Sequence, residues 1–112
     1  MNLNYYTSIS GKNLIMEYIN SLTEEEQVDA LSVLKNMQNG EFNKINFKRW
    51  EKKIYEVYFY KHNRIFYITI DNANIYLLHA CRKQKNKTEK SDKKIVETRA
   101  RQLGKELGKK FI

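Results

Sequence analysis

Proline is absent from the chain, and cysteine occurs once. Without proline nothing divides the sequence sharply, and a single thiol, Cys81, excludes an internal disulfide. Cys81 lies in an apolar run and reads as a small core hydrophobe. A reactive thiol needs a polarising environment that its neighbours do not announce. Histidine is nearly as scarce, with two residues, so a zinc cluster is not expected. No apolar run nears the roughly 18 residues of a membrane span, and no signal peptide is recognisable. A cytoplasmic protein without a membrane partner is therefore expected. The phosphate-binding loop, the dinucleotide glycine pattern and the Gly-x-Ser-x-Gly elbow are missing too, which excludes the commonest nucleotide and hydrolase chemistries.

What the chain has is charge and rings. Twenty-one Lys and Arg against thirteen Asp and Glu give +8, and eight Tyr and five Phe accompany them. Such an excess concentrates polyanions at the surface. Nucleic acid, an anionic membrane or an acidic protein would all profit, and charge alone does not choose. Cations on phosphate and rings on bases are the two parts that nucleic-acid readers combine. With 112 residues and 41% hydrophobic content, residues 1–112 are expected to fold as a single domain.

The hydrophobic pattern predicts an α+β fold. Leu3 to Ile9 reads as a short first strand, broken at Ser10-Gly11. Lys12 to Leu22 carries Leu14, Ile15, Tyr18, Ile19 and Leu22 at helical spacing. Thr23 with Glu26 forms a capping box, opening a second helix to about Asn39. Val28, Leu31, Leu34 and Met37 are its expected inner face, and Gly40 its stop. Glu41 to Lys53, basic and including Lys48 and Lys53, reads as a loop anchored by Phe42, Ile45, Phe47 and Trp50. Ile54–Tyr60, Ile65–Asp71 and Ile75–Cys81 are β-branched, aromatic runs joined by short links, hence an antiparallel meander. A hydrophilic segment, Arg82 to Lys90, leads to a last helix capped by Ser91. It is expected to run to about Leu107, with Ile95, Val96, Leu103 and Leu107 apolar. Two N-terminal helices should pack on one face of an antiparallel sheet of three to four strands, leaving the other face partly wet.

Strand alternation sorts the candidate residues. Ile54, Glu56, Tyr58 and Tyr60 share a face. Arg64, Phe66, Ile68 and Ile70 alternate with Ile65, Tyr67 and Thr69. Tyr76, Leu78 and Ala80 oppose Ile75, Leu77, His79 and Cys81. Glu56 and Arg64 stand on facing arms of one hairpin, and Lys83, Lys85 and Lys87 follow the last strand. Such a group suits RNA cleavage without metal. A base takes the ribose 2′-OH proton, cations stabilise the pentacoordinate phosphate, and an acid protonates the leaving oxygen. Arg64 fits the cationic role, because its planar fork matches two phosphate oxygens. Glu56, a lysine or His79 could transfer protons, and the sequence does not rank them. The bland alternatives are an Arg64–Glu56 surface pair, a core histidine at 79 and a solvated lysine face.

Three segments carry a family resemblance: Tyr55-Glu56-Val57, Asn63-Arg64-Ile65-Phe66-Tyr67, and Leu77-Leu78-His79-Ala80-Cys81-Arg82-Lys83. Their order and spacing resemble the RelE/HigB toxins of type II toxin–antitoxin pairs. The opening Tyr-Tyr-Thr-Ser with Gly-Lys-Asn-Leu-Ile-Met-Glu-Tyr-Ile, and Lys85-Asn86-Lys87-Thr88, resemble the phage-type HigB branch. The resemblance runs from Tyr5 to about Arg101. It implies a microbial-RNase-like fold and metal-independent, cofactor-free cleavage of mRNA in the ribosomal A site. It also implies inhibition by a helix-turn-helix, HigA-like antitoxin in a hetero-oligomer. Carried over by position, Arg64 would hold the phosphate, Lys83 would be the basic residue after the last strand, and Glu56 the acid. With His79 these are the candidate catalytic residues, and Lys48, Lys53, Arg82, Lys85 and Lys87 the candidate RNA contacts. The chain departs from the pattern at Tyr58, which replaces an arginine, and at Cys81, Gln84 and Glu89. Two other readings stand beside the nuclease. One is a non-catalytic RNA- or ribosome-docking module, and the other a relative acting on another target such as a topoisomerase.

Overall fold

A computed structural model describes residues 1–83 and 88–112. Its elements run β1 (Asn2–Tyr5), α1 (Leu14–Asn20), α2 (Glu24–Gln38), a 3-10 turn (Phe42–Lys44), β2 (Asn46–Glu51), β3 (Ile54–Phe59), β4 (Asn63–Thr69), β5 (Asn74–Arg82) and α3 (Lys90–Leu107). The five strands make one sheet in the order β1-β5-β4-β3-β2. The meander β2–β5 is antiparallel, and β1 joins β5 in parallel. The α+β class holds, with a wider and mixed sheet.

The N-terminal strand ends at Tyr5 rather than Ile9. The chain turns through Gly11, whose φ of 85° suits glycine, and Ile9 is left fully exposed. The stretch expected as a loop contains β2. Its residues are mostly exposed because it is an edge strand, and Lys48 and Arg49 protect that edge as charges commonly do. Strand patterning is weak where only one neighbour and little core constrain the side chains.

The Thr23 cap forms as expected, its hydroxyl oxygen accepting from Glu26 N–H at 3.3 Å. The buried face of α2, however, is Glu26, Ala30, Val33, Leu34 and Met37. Val28 and Leu31 lie in solvent at 63% and 52% exposure, a rotation from the expected stripe. The cause is Glu26, a carboxylate drawn inward by partners on the sheet. Helix α3 lacks a side-chain cap at Glu89 and ends at Gly108 in the left-handed conformation. Gly104 allows the C-terminal tail to fold back, since a methyl there would sit 2.5 Å from the Lys109 carbonyl oxygen.

Both sheet faces are covered, not one. Helices α1 and α2 pack on Val57, Phe59, Ile65, Tyr67, Ile75, Leu77 and Ala80. Helix α3 packs Val96, Ala100 and Leu103 on Ile54, Phe66, Ile68, Leu78 and Cys81. The expected grouping of His79 and Cys81 with Ile75 and Leu77 is broken by a bulge. The register jumps so that Phe66 faces His79 while Tyr67 faces Leu77, leaving Leu78 as the extra residue. A bulge shifts alternation by one, so His79 and Cys81 join the α3 face. The end of that face away from the α3 core carries Glu56, Tyr58 and Arg64, of which Tyr58 is part-exposed and the other two are buried.

Candidate functional site

Cross-strand register lays out the site. Lys48, Glu56, Phe66 and His79 form one row across β2, β3, β4 and β5. Tyr58, Arg64 and Cys81 form the next. Side chains opposite one another on one face touch, so each row is a line of contacts.

Glu56 is the hub and is wholly buried. Its Oε1 accepts from Arg64 Nη1 at 3.2 Å and from the Tyr58 hydroxyl, and Lys48 Nζ stands 3.6 Å away. Tyr58 lies beneath both cations. The Arg64 guanidinium carbon is 4.7 Å and Lys48 Nζ 5.7 Å from its ring centre, within cation–π range. Among the described residues, Glu56 Oε2 and Arg64 Nε are buried without any hydrogen-bond partner. Unpaired polar atoms in a folded interior are costly, and so mark places where a ligand can complete the pairing.

Lys83 is buried at 6% exposure. Its backbone N–H donates to the His62 carbonyl at 2.7 Å, which pins the end of β5 to the β3–β4 turn. Burial, and then the Arg64 charge, push its ammonium pKa down. Lys48 is shifted the other way, upward, chiefly by its bond to Tyr58. The Tyr58 phenol is raised, first by burial and then by Glu56. Lys48, Trp50, Glu56, Lys83, Thr88 and Lys93 line a cleft of about 370 Å³. Trp50 forms one wall. Its Nε1 donates to Thr88 Oγ1 at 2.9 Å, and its ring meets Phe66 edge-on at 5.1 Å.

The sequence candidates divide accordingly. Glu56, Arg64, Lys83 and Lys48 converge. His79 does not. Phe66 separates it from Glu56 in the row, a span of two strand spacings, or about 10 Å. Its Nε2 pairs with Asp92 Oδ1 at 2.8 Å and its ring stacks on Phe66, tying the start of α3 to the sheet. Arg82 projects to the other face, where Nη2 binds Glu26 Oε2 at 2.7 Å. Lys53 is exposed at the β2–β3 turn, outside the cleft lining. Lys85 and Lys87 lie outside the described residues. Sequence reading missed Tyr58 as a member of the cluster, although its position two residues from Glu56 puts both on one strand face. It also missed Lys93, which a helix brings in from far along the chain.

Among the described residues, His79, Cys81 and Asp92 bring potential metal-ligand atoms within 4.8 Å of one another. His79 and Asp92 already satisfy each other, and burial pushes the Cys81 thiol up to about 12. The trio reads as a packed polar corner under α3.

The family model described as "Phage derived protein Gp49-like (DUF891)" matches residues 17–101, most of the chain. The chain belongs to this phage-derived Gp49-like family. The matched span of the Gp49-like chain contains every residue of the cleft and excludes β1 and the C-terminal tail. No curated protein matches the chain significantly.

Proposed function

We propose that this Gp49-like protein is a ribosome-dependent mRNA endonuclease, the toxin of a type II toxin–antitoxin pair. The carrying observation is the buried Glu56–Arg64 pair, each partner keeping one polar atom that is unpaired among the described residues, beside a cation-lined cleft. The toxin-like character of the family supports the reading, and so does the resemblance to RelE/HigB proteins in the same strands.

In this mechanism an RNA phosphate enters between Lys48 and Lys83 and draws on Arg64. Glu56 Oε2, the acceptor without a partner among the described residues, takes the proton from the ribose 2′-OH. The 2′-oxygen attacks phosphorus, the bond to the 5′-oxygen breaks, and a 2′,3′-cyclic phosphate forms. Lys83, its pKa lowered by burial, is the better-matched acid and gives a proton to the leaving 5′-oxygen. Lys48 and Arg64 stabilise the charge that builds on the phosphate. The chemistry draws on side chains and needs no metal. A helix-turn-helix antitoxin is the proposed partner in a cytoplasmic hetero-oligomer.

Protein added to a translating extract should break mRNA within the reading frame, and Arg64→Ala should lower cutting about a hundredfold or more. Equal cutting by the variant would remove Arg64 from the mechanism. A second reading is a non-catalytic RNA- or ribosome-docking module. The closed Arg64–Glu56 ion pair and Tyr58 in place of an arginine favour it. Salt-sensitive binding without any cleavage product would decide for it.

A further inference from the structure

We infer that Glu26, on the opposite side of the sheet from the cleft, is a positioning residue that sets Arg64 and Lys83 through the residues preceding each. The inference rests on the nuclease reading for its consequence but on separate geometry for its substance.

Asn63 and Arg82 are register partners on β4 and β5. Asn63 is followed by Arg64, and Arg82 by Lys83. Alternation turns the first pair toward α2 and the second toward the cleft. One carboxylate oxygen holds both members of the first pair. Glu26 Oε2 accepts from Asn63 Nδ2 at 2.7 Å and from Arg82 Nη2 at 2.7 Å. Its other oxygen takes the Thr23 hydroxyl at 3.0 Å. Asn63, wholly buried, also donates to the Tyr60 carbonyl at 3.0 Å and accepts from the Tyr18 hydroxyl at 2.5 Å. The turn that this clamp closes is strained, with Tyr60 and Lys61 at φ of 27° and 64°. Neighbouring carboxylates of α2 hold it as well. Asp29 accepts from the Tyr60 N–H at 2.5 Å, and Glu25 from its hydroxyl at 2.6 Å. The same turn supplies the His62 carbonyl that pins Lys83.

A buried ionic cluster is a poor source of stability compared with apolar packing of the same volume. What a fully paired network supplies is a single geometry. Here that geometry fixes the spacing between the strand ends that carry the two cations, and catalytic groups need such support from behind.

The test compares wild type, Glu26→Gln, Arg64→Gln and the double variant, each held well below its melting temperature. Inorganic phosphate is titrated while the Arg64 side-chain N–H resonance is followed by NMR, and mRNA cutting is measured in parallel. Glu26→Gln should shift that resonance, weaken phosphate binding about tenfold and slow cutting about ten- to a hundredfold. In the Arg64→Gln background it should add only the smaller loss that runs through Arg82 and Lys83, so the two losses combine to less than their product. Unchanged phosphate affinity in Glu26→Gln, or losses that multiply in the double variant, would overturn the inference. Should Glu26→Gln not fold, Arg82→Gln at its half-exposed position carries the same expectation and the same refutation. Wild type that binds phosphate with the predicted coupling yet leaves mRNA intact would sink the nuclease reading and leave the positioning role standing. Wild type that does not bind phosphate would sink both.

Discussion

Glu26 and Glu56 are both buried carboxylates, one under each face of the same sheet, and they differ in a single respect. Glu26 has both oxygens engaged, by Thr23 on one side and by Asn63 and Arg82 on the other. Among the described residues, Glu56 gathers its partners on one oxygen and leaves the other bare. Complete pairing makes a rigid joint, whereas incomplete pairing under an open cleft makes a place for a substrate. The same contrast separates the faces. The α1–α2 side surrounds its carboxylate with a complete polar network beside a large apolar core, and the α3 side sets the buried Glu56 and Lys83 in the lining of a cleft with the exposed Lys48.

The largest effect should come from removing Arg64. Arg64→Ala eliminates the phosphate-binding fork and also strands a wholly buried Glu56 without its guanidinium. The second loss costs about 3–5 kcal/mol of stability, as for other buried pairs broken on one side. Denaturant unfolding should therefore show a much lower midpoint at an unchanged slope. A midpoint equal to wild type would mean that Glu56 is not truly desolvated.

Glu56→Gln comes next, and it separates chemistry from packing. The amide keeps the shape and one acceptor but is no base, so cutting should fall about a hundredfold or more. Stability should also fall, because the buried Arg64 loses its counter-charge, but by less than in Arg64→Ala, since the amide oxygen still accepts from the guanidinium and no cavity opens. Measured in one preparation by cleavage rate and melting curve, the two variants form a clean pair. If Glu56→Gln cuts as well as wild type, the orphan oxygen is not where the proton goes.

Much of this pairing could be read before any coordinates. Ile54–Tyr60, Ile65–Asp71 and Ile75–Cys81 announce themselves as β-branched, aromatic runs close to the observed strands. Tight links force them antiparallel, so Glu56 and Arg64 had to stand on neighbouring arms of one hairpin, in adjacent rows. Three things could not be read. Charge on β2 hid an edge strand, because little core presses on it. The bulge at Leu78 moved His79 and Cys81 across the sheet, and no local residue preference marks such a shift. Glu26 turned inward against the apolar stripe of its own helix, since its partners come from strands far along the chain. Long-range pairing overrides periodicity at the residues where the fold carries polar work.

Acid should unpick the molecule in two stages. Burial lowers the His79 pKa below its ordinary 6.5, with Asp92 opposing. The unfolded chain therefore binds that proton more readily, and stability declines as pH falls from about 6.5 toward the folded value. Glu26 is lowered below its ordinary 4.5, chiefly by the Asn63 amide. Its contribution is full above 4.5 and is lost as pH falls through the depressed value. Melting temperature followed from pH 7 to 3 should show both declines. Glu26→Gln should shrink the second, leaving the part due to Glu41 and Asp71, whose carboxyls are also lowered, and spare the first. A single decline, indifferent to Glu26, would contradict the paired carboxylate described for α2.

Thr23→Ala should have the smallest effect and is the finest probe of the comparison. The Thr23 hydroxyl accepts the Glu26 N–H and donates to Glu26 Oε1. Its loss removes a helix cap, about 1 kcal/mol, or about 5 °C in melting temperature for a domain of this size. It leaves Glu26 Oε2 with Asn63 and Arg82, the two bonds that reach toward the cleft. Cutting at 25 °C should therefore stay within about twofold of wild type, because a cap lost at the helix end removes stability without moving the strand ends. A large loss of activity here, with the melting temperature barely changed, would mean that both oxygens of Glu26 are needed to set the strands. The sealed carboxylate would then be as finely poised as the open one.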